Sequence, residues 1–143
     1  MDLEPSVWGP HYWFFLHSLT FTYPKKPNTT TKKKYYDFVQ NLPLFIPHKE
    51  IAKRFINYLD AYPLTPYLDS SESFQKWMLF IHNKINKSIG KKQITYYELL
   101  NNFNEIYKPK QIVANEYLKW REKLIYITLI LLFIGIIAYI YNK

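Results

Sequence analysis

The stretch FQKWMLFIHNKINKSIGK, residues 74–91, decides the fold, because its large apolar side chains recur every three or four residues. That spacing is the period of an α-helix with one buried face, and it differs from the alternation of a strand. Gly90 is a residue type that often ends helices, and Asp69 with Glu72 has the spacing of a capping box at the start. We therefore predict a helix that buries Phe74, Trp77, Met78, Ile81, Ile85 and Ile89.

Three further helices are predicted before this one. The first runs from near Ser6 or Val7 to about Thr20, with Pro10 in its first turn. YPKKPNTTTKKK, residues 23–34, is a predicted loop. A short helix over residues 34–42 is expected to turn Tyr35, Phe38, Val39 and Leu42 inward. Pro47 opens the next helix, which places one stripe of side chains on the core: His48, Ile51, Phe55 and Leu59.

Beyond Gly90, Thr95 and Glu98 repeat the spacing of a capping box and predict a short fifth helix. The chain has only three glycines and its apolar spacing follows the helical period, so the fold class is all-α. We expect a bundle of four or five helices over residues 1–109.

A membrane segment is predicted after the bundle. LIYITLILLFIGIIAYIY, residues 124–141, contains no charge and as a helix spans about 27 Å, close to the thickness of a bilayer core. No polar stripe interrupts it, which argues against a buried core helix. Residues 110–123 form the linking helix. Lys119, Arg121 and Lys123 precede the segment and Lys143 alone follows it, which predicts a tail-anchored protein whose N-terminal domain faces the cytosol.

The composition excludes several kinds of chemistry. The sequence contains no cysteine, so it offers no disulfide, thiolate nucleophile or iron–sulfur cluster. It carries no Gly-rich phosphate-binding motif, and neither G-x-S-x-G nor H-E-x-x-H occurs. No metal site is predicted, since His48 has no second ligand at metal-binding spacing. A hydrolase or a metalloenzyme therefore has little support.

The formal charge of +8 is concentrated in part between Lys25 and Lys34. Such a run can bind nucleic acid or an anionic membrane, or it can be an ordinary solvated loop. We favour the solvated loop, because no aromatic residues for base stacking are interleaved with these lysines. Nucleic acid is therefore not an expected partner.

Three stretches, read in order, resemble the Erv/ALR family of FAD-linked sulfhydryl oxidases. WGPHYWFFLHSLTFTYP, residues 8–24, resembles the opening helix, W-G-x-x-x-W-x-x-L-H followed by Y-P. FIPHKEIAKRF, residues 45–55, resembles the helix start that carries the active-site C-x-x-C. Residues 74–91 resemble the H-N-x-V-N-x-x-L-G-K helix that wraps the flavin. The resemblance spans roughly residues 6–105.

The resemblance implies a set of residues that contact FAD. Trp13 and His17 lie one helical turn apart and can press against a flat ring. The polar side chains near residues 82–91 can hydrogen-bond cofactor edges and a diphosphate. The full set, taken as a vestigial FAD pocket, is Gly9, Trp13, His17, Tyr23, His82, Asn83, Asn86 and Lys91. Each also has an ordinary structural interpretation, as a core histidine or a surface amide.

The chain departs from the family at every expected cysteine. His48 and Ile51 occupy the two C-x-x-C positions, and Leu79 and Tyr96 stand where the resemblance implies a structural disulfide. A thiol oxidase needs a thiolate that exchanges with the substrate disulfide and then reduces the flavin. Neither histidine nor isoleucine can do so, so no catalytic residue and no oxidase activity are predicted. For His48 we favour a structural role at the helix start.

Three functions follow. The first is a catalytically dead, membrane-anchored structural protein that docks other proteins. Its WGP motif and its abundant Lys, Asn, Ile and Tyr, which suggest an AT-rich genome, favour a minor capsid or membrane-linking protein in the virion inner membrane of a large DNA virus, ahead of the mitochondrial intermembrane space. The second is a flavoprotein that keeps FAD without cysteines, although no cofactor is the leading expectation. The third is a membrane-bound adaptor that uses the Lys25–Lys34 loop. A homodimer through Trp8, Tyr12 and Phe15 is left open.

Overall fold

The computed structural model describes residues 2–142, except for the side chains of residues 110–113. Its six α-helices, in chain order, are α1 (Pro5–Thr22), α2 (Thr29–Asn41), α3 (Lys49–Ala61), α4 (Ser71–Ser88), α5 (Tyr96–Tyr107) and α6 (Lys110–Tyr141). Short 3₁₀ turns cover Leu42–Phe45 and Thr65–Tyr67. The described residues include no strand, so the predicted all-α bundle is confirmed.

The chain divides into two compact units, one up to Glu98 and the other from Leu99 onward. In the first unit, α1 and α3 pack against α4, which carries the predicted apolar stripe. Phe74, Trp77, Met78, Ile81 and Ile85 are all buried there, and Ile89 is partly buried. The helix that decides the fold is thus also the centre of its core.

The start of α4 differs from the prediction. Ser70 is the N-cap, since its hydroxyl accepts a hydrogen bond from the Ser73 amide at 3.2 Å. Asp69 instead pairs with Lys32, their Nζ and carboxylate oxygen lying 2.5 Å apart. The predicted capping box of Asp69 and Glu72 is therefore wrong, because a serine closer to the helix competes better for the exposed amides.

The predicted loop over residues 23–34 is too long. Asn28 caps α2 by accepting a hydrogen bond from the Thr31 amide at 2.8 Å, so the helix begins at Thr29. Lys32, Lys33 and Lys34 therefore lie on a helix and do not belong to a flexible basic loop. Two of them are paired, Lys32 with Asp69 and Lys33 with Asp37.

Several core predictions hold and two do not. Val39 and Leu42 are buried in the first unit, and Ile51, Phe55 and Leu59 form the stripe of α3. His48 was predicted to belong to that stripe, but it is only half-buried because it caps the helix from the position before Lys49. Phe38 is 37% exposed and packs edge-on against Phe15, with ring centroids 6.3 Å apart. The prediction that Phe38 faces inward is wrong, because α2 turns the neighbouring Val39 to the core and leaves Phe38 at the edge.

The second predicted capping box is present in full. The Thr95 amide donates to Glu98 Oε2 at 2.7 Å, and the Glu98 amide donates to Thr95 Oγ1 at 3.1 Å. These hydrogen bonds hold the pKa of the Glu98 carboxyl near 2, with help from Lys92. The reciprocal pair satisfies two amides at the start of α5.

The second unit is dominated by α6. Within its stretch Ala114–Tyr141, the most apolar 18-residue window has a mean hydropathy of 2.6, and none of that window is buried among the described residues. By length and composition this helix is able to cross a membrane. The helix runs without interruption from Lys110 to Tyr141.

Candidate functional site

An aromatic cluster joins α1 to α4 in the first unit. The Trp13 ring stacks on the His82 ring with centroids 4.0 Å apart and planes 11° from parallel. His17 Nε2 lies 3.0 Å from His82 Nδ1, a hydrogen bond in which one ring nitrogen donates and the other accepts. Trp13 is half-buried, while His17 is only 2% exposed. Three of the predicted cofactor residues therefore form one surface.

Burial keeps both histidines of this cluster neutral. It lowers the pKa of His17 to about 4, because the charged ring would lose its water shell. The pKa of His82 falls to about 3, first through burial and then through the nearby charges of His17 and Lys91. The cluster thus offers a flat, uncharged aromatic surface, and the exposed Lys91 is close enough to act on it electrostatically.

Gly9 leaves open space on α1, one helical turn before Trp13. A side-chain β-carbon built at Gly9 meets no atom within 4 Å, although the glycine itself is buried. A flat group lying against Trp13 can therefore approach the helix backbone closely at this point.

The two asparagines of α4 are engaged with the chain itself. Asn83 donates from Nδ2 to the Ile94 carbonyl at 2.8 Å and accepts from the Ile94 amide at 2.9 Å. Asn86 donates to the Lys92 carbonyl at 3.2 Å. These amides fasten the segment after Gly90 onto α4, so the structure gives them a structural task beside the predicted cofactor contact.

Tyr23 also has a structural task. It is 3% exposed, and its hydroxyl donates to the Leu68 carbonyl at 2.8 Å. Its ring packs edge-on against Tyr35 and Phe74, at 4.7 and 5.2 Å between centroids. Tyr23 lies in the core beneath the end of α1, apart from the contacts that join Trp13, His17 and His82.

The positions matched to C-x-x-C lie at the start of α3. His48 is the N-cap, and its Nδ1 accepts from the Ile51 amide at 3.4 Å, a long hydrogen bond. The Lys49 amide donates to the Asp2 carboxylate at 3.1 Å, which adds a negative charge at the helix start. Ile51 is 5% exposed and belongs to the core. Within residues 2–142, no group of three or more potential ligands is placed to hold a metal ion.

A polar chain that the sequence analysis did not find crosses the same unit. The Tyr96 hydroxyl donates to Gln75 Oε1 at 2.9 Å, and Gln75 Nε2 donates to Ser71 Oγ at 2.8 Å. Ser71 Oγ then donates to the Thr20 carbonyl at 2.9 Å. Ser71 and Gln75 are one turn apart on α4, and that spacing is the only sign of these linked hydrogen bonds in the sequence.

Comparison with known proteins gives one consistent result. A model described as the Erv1 / Alr family matches residues 10–108. The chain is 33% identical over 110 residues to a probable FAD-linked sulfhydryl oxidase of Acanthamoeba polyphaga mimivirus, covering 76% of this chain and 77% of the relative. It is 32% identical over 110 residues to the FAD-linked sulfhydryl oxidase of African swine fever virus, isolate Pig/Kenya/KEN-50/1950, covering 77% and 87%.

Solved structures agree with the sequence matches. The crystal structure of the yeast Erv1 core aligns with a TM-score of 0.62 and 26% identity, covering 76% of this chain and 86% of that one. The FAD-binding domain of Erv1 from Saccharomyces cerevisiae aligns with a TM-score of 0.61 and 29% identity, covering 76% and 95%.

Fold and site together define a helical bundle of the sulfhydryl-oxidase type that contains no cysteine. The chain belongs to the Erv1 / Alr family. The resemblance drawn from the sequence is therefore confirmed, and the viral relatives fit the expected viral origin.

Proposed function

We propose that this chain is a membrane-anchored structural protein of the Erv1 / Alr family that no longer oxidises thiols itself. The observation that carries the proposal is the start of α3. There a histidine caps the helix and an isoleucine is buried in the core, at the two positions that the resemblance assigns to the redox cysteines.

The chemical reason is the lack of a covalent route for electrons. Thiol oxidation passes through a mixed disulfide, which forms when a thiolate attacks sulfur. The imidazole of His48 and the hydrocarbon side chain of Ile51 form no such bond. The sequence contains no cysteine that could replace them. What the bundle retains is a rigid shape on which other proteins can dock.

The membrane part of the proposal is supported by α6. We divide the chain into a bundle over residues 1–109, a linking helix over residues 110–123 and an anchor over residues 124–141. The anchor inserts into a lipid bilayer, and the basic residues before it, Lys119, Arg121 and Lys123, favour a cytosol-facing bundle. Relatives from African swine fever virus and mimivirus support a viral origin, and within that setting we propose a minor capsid or membrane-linking protein of the virion inner membrane.

An oxygen-consumption assay tests the loss of oxidase activity. Purified full-length protein in detergent is mixed with FAD and dithiothreitol, and its rate is compared with that of FAD and dithiothreitol alone. We expect the two rates to be equal. The double variant His48→Cys/Ile51→Cys is the matched partner, and the single variant His48→Cys is its control. Faster oxygen consumption by the unaltered chain would overturn the proposal.

A second function, FAD binding without thiol chemistry, is favoured by the aromatic cluster. The stacked Trp13 and His82 rings, the open space beside Gly9 and the positive charge of Lys91 fit a flat ring with a nearby diphosphate. The neutral histidines would contact the ring without charging it. Bound FAD would supply two-electron chemistry to a partner, or act only as a structural plug.

Flavin retention tests this second function. Full-length protein is incubated with FAD, passed through a desalting column and scanned for the visible flavin absorption. One retained flavin per molecule of the unaltered protein, and no retained flavin in Trp13→Ala, would support FAD binding. No retained flavin in the unaltered protein would dismiss it and leave the structural role.

The third function, an adaptor that binds through Lys25–Lys34, is weakened by ion pairs. Lys32 and Lys33 each lie beside a carboxylate, at 2.5 and 2.8 Å. An anionic partner would have to displace Asp69 and Asp37. Binding to anionic vesicles that does not weaken with salt would exclude an electrostatic adaptor.

Self-association belongs to the structural proposal. Trp8 and Tyr12 hydrogen-bond within the chain, to the carbonyls of Leu3 and Phe45. Phe15 is 52% exposed on the same helix and is therefore the better candidate for a dimer contact. Light scattering of Phe15→Ser against the unaltered protein, both in detergent, measures that contribution.

A further inference from the structure

A groove lies beside α4, on the side where the connector after α3 crosses it. Its volume is about 480 Å³, within the range of ligand-binding clefts. Its walls are mainly aromatic rings and prolines: Tyr62, Pro63, Pro66, Tyr67, Trp77 and Phe80. None of these residues belongs to the aromatic cluster of Trp13 and His82, so the groove is a separate feature.

The rings of the groove are fixed by contacts within the chain. Tyr62 packs edge-on against Phe80, with centroids 4.7 Å apart. Trp77 is buried, and its Nε1 donates to the Tyr62 carbonyl at 3.1 Å. Tyr67 and Phe80 remain 43% and 39% exposed. The groove is therefore an apolar surface with fixed rings, two of which remain partly open to water.

Two lysines of α4 lie beside the groove. Lys76 lines it, and Lys84 Nζ lies 4.9 Å from the Tyr62 ring centroid and 5.0 Å from that of Phe80. Residues 76, 80 and 84 fall on one face of α4, so Lys76 and Lys84 are about 12 Å apart along the helix axis. Among the described lining residues none is acidic.

The ion pair between Lys76 and Glu72 leaves the lysine available. Their charged atoms are 2.6 Å apart, but both side chains are more than half exposed. Such surface pairs contribute little to stability and exchange readily for another carboxylate. Lys84 makes no ion pair with a described carboxylate, and its ammonium lies over the Tyr62 and Phe80 rings at the groove wall.

We infer that this groove binds an extended, proline-containing segment of a partner protein that carries two carboxylates four residues apart. A polyproline II segment rises about 3.1 Å per residue, so four residues match the distance between the two lysines. Aromatic grooves are the surfaces that recognise such segments, since pyrrolidine rings pack on aromatic faces and little chain entropy is lost. The inference rests on the proposed docking function and names the chemistry of the partner.

A peptide-binding measurement tests the inference. The probe is a blocked, fluorescently labelled peptide with the core Glu-Pro-Pro-Leu-Glu, titrated with full-length protein in neutral detergent. Two control peptides replace the core by Lys-Pro-Pro-Leu-Lys or by Glu-Gly-Ser-Gly-Glu. We expect saturable binding of the first peptide, weaker by about tenfold or more for either control because charge or ring contacts are lost.

Variants assign the binding to the groove. Tyr67→Ala removes an exposed ring and Lys84→Glu reverses one charge, whereas Lys53→Glu makes the same reversal on α3 outside the groove. We expect the first two to lose about tenfold in affinity and the third to keep it. Tryptophan fluorescence spectra matching the unaltered protein verify that each variant is folded.

Other outcomes overturn the inference. Absent binding, equal binding of all three peptides, or unchanged affinity in Tyr67→Ala and Lys84→Glu would each refute it. The inference would also be refuted if single-stranded DNA or anionic vesicles displaced the peptide and bound more tightly through the same residues. A failed peptide assay leaves the oxygen-consumption result unaffected, so the two proposals can fail separately.

Discussion

Asn83 allows a direct test of whether the α4 amides support the fold or a cofactor. Its side chain makes two hydrogen bonds to the backbone of Ile94, at 2.8 and 2.9 Å. Asn83→Ala removes both and leaves an amide and a carbonyl of Ile94 without these partners. We therefore expect the bundle to lose stability whether or not FAD is present.

The size of the loss follows from the two bonds. Each hydrogen bond contributes about 1 kcal/mol net, so the pair contributes about 2 kcal/mol. Alanine regains roughly 0.5 kcal/mol because it is the better helix former. The expected decrease in the free energy of unfolding is about 1.5 kcal/mol. For a unit of this size that lowers the melting temperature by about 6–12 °C.

Thermal unfolding in detergent, followed by tryptophan fluorescence, measures the effect with and without FAD. The matched control is Asn57→Ala, which makes the same replacement at an exposed position of α3. This control gains the higher helix propensity of alanine and keeps both hydrogen bonds between Asn83 and Ile94. Its melting temperature should therefore stay the same or rise slightly. If Asn83→Ala has the same melting temperature as Asn57→Ala, the structural role of Asn83 is wrong. A loss seen only with FAD would assign Asn83 to the cofactor.

Three more predictions address the site and the anchor. Burial lowers the pKa of His17 to about 4 and of His82 to about 3, so below pH 6.5 the unfolded chain binds more protons than the folded chain. The free energy of unfolding, measured with urea, should therefore be lower at about pH 5 than at neutral pH, by about 2 kcal/mol per histidine. A free energy of unfolding that does not change between neutral pH and about pH 5 would contradict this prediction. Gly9→Ala fills open space on a helix and should add about 0.5–1 kcal/mol of stability, while any retained FAD decreases. A chain truncated after residue 109 should stay folded and soluble without detergent, and its fractionation with membranes would refute the anchor.

The helices were predictable from the sequence because one apolar period runs through each of them. Phe74 to Ile85 on α4 and Ile51 to Leu59 on α3 fall where that period places them. The boundaries were less predictable. Several polar residues compete to cap each helix, and sequence alone does not show that Ser70 prevails at α4 or that Asn28 starts α2.

The sequence pointed to three members of the aromatic cluster but not to their contacts. The family motifs identified Trp13, His17 and His82, yet only the packing of α1 on α4 stacks Trp13 on His82. Asn83 and Tyr23 were assigned to a cofactor, while their observed partners are backbone groups of Ile94 and Leu68. Such contacts join residues many positions apart, and no local pattern encodes them.

The loss of cysteine raises the question of what holds the segment after Gly90 in place. The resemblance puts a structural disulfide between positions 79 and 96, and closing a loop of that length stabilises a protein by about 3 kcal/mol. Here Tyr96 instead donates to Gln75, and two hydrogen bonds join Asn83 to Ile94.

At about 1 kcal/mol each, these three bonds together match the stabilisation expected from the disulfide. Hydrogen bonds of this kind do not respond to thiols or oxidants. Leu79 is free to pack as an ordinary apolar side chain, 6% exposed. A bundle held in this way keeps its shape in a reducing compartment, and that stability suits the docking role that we propose.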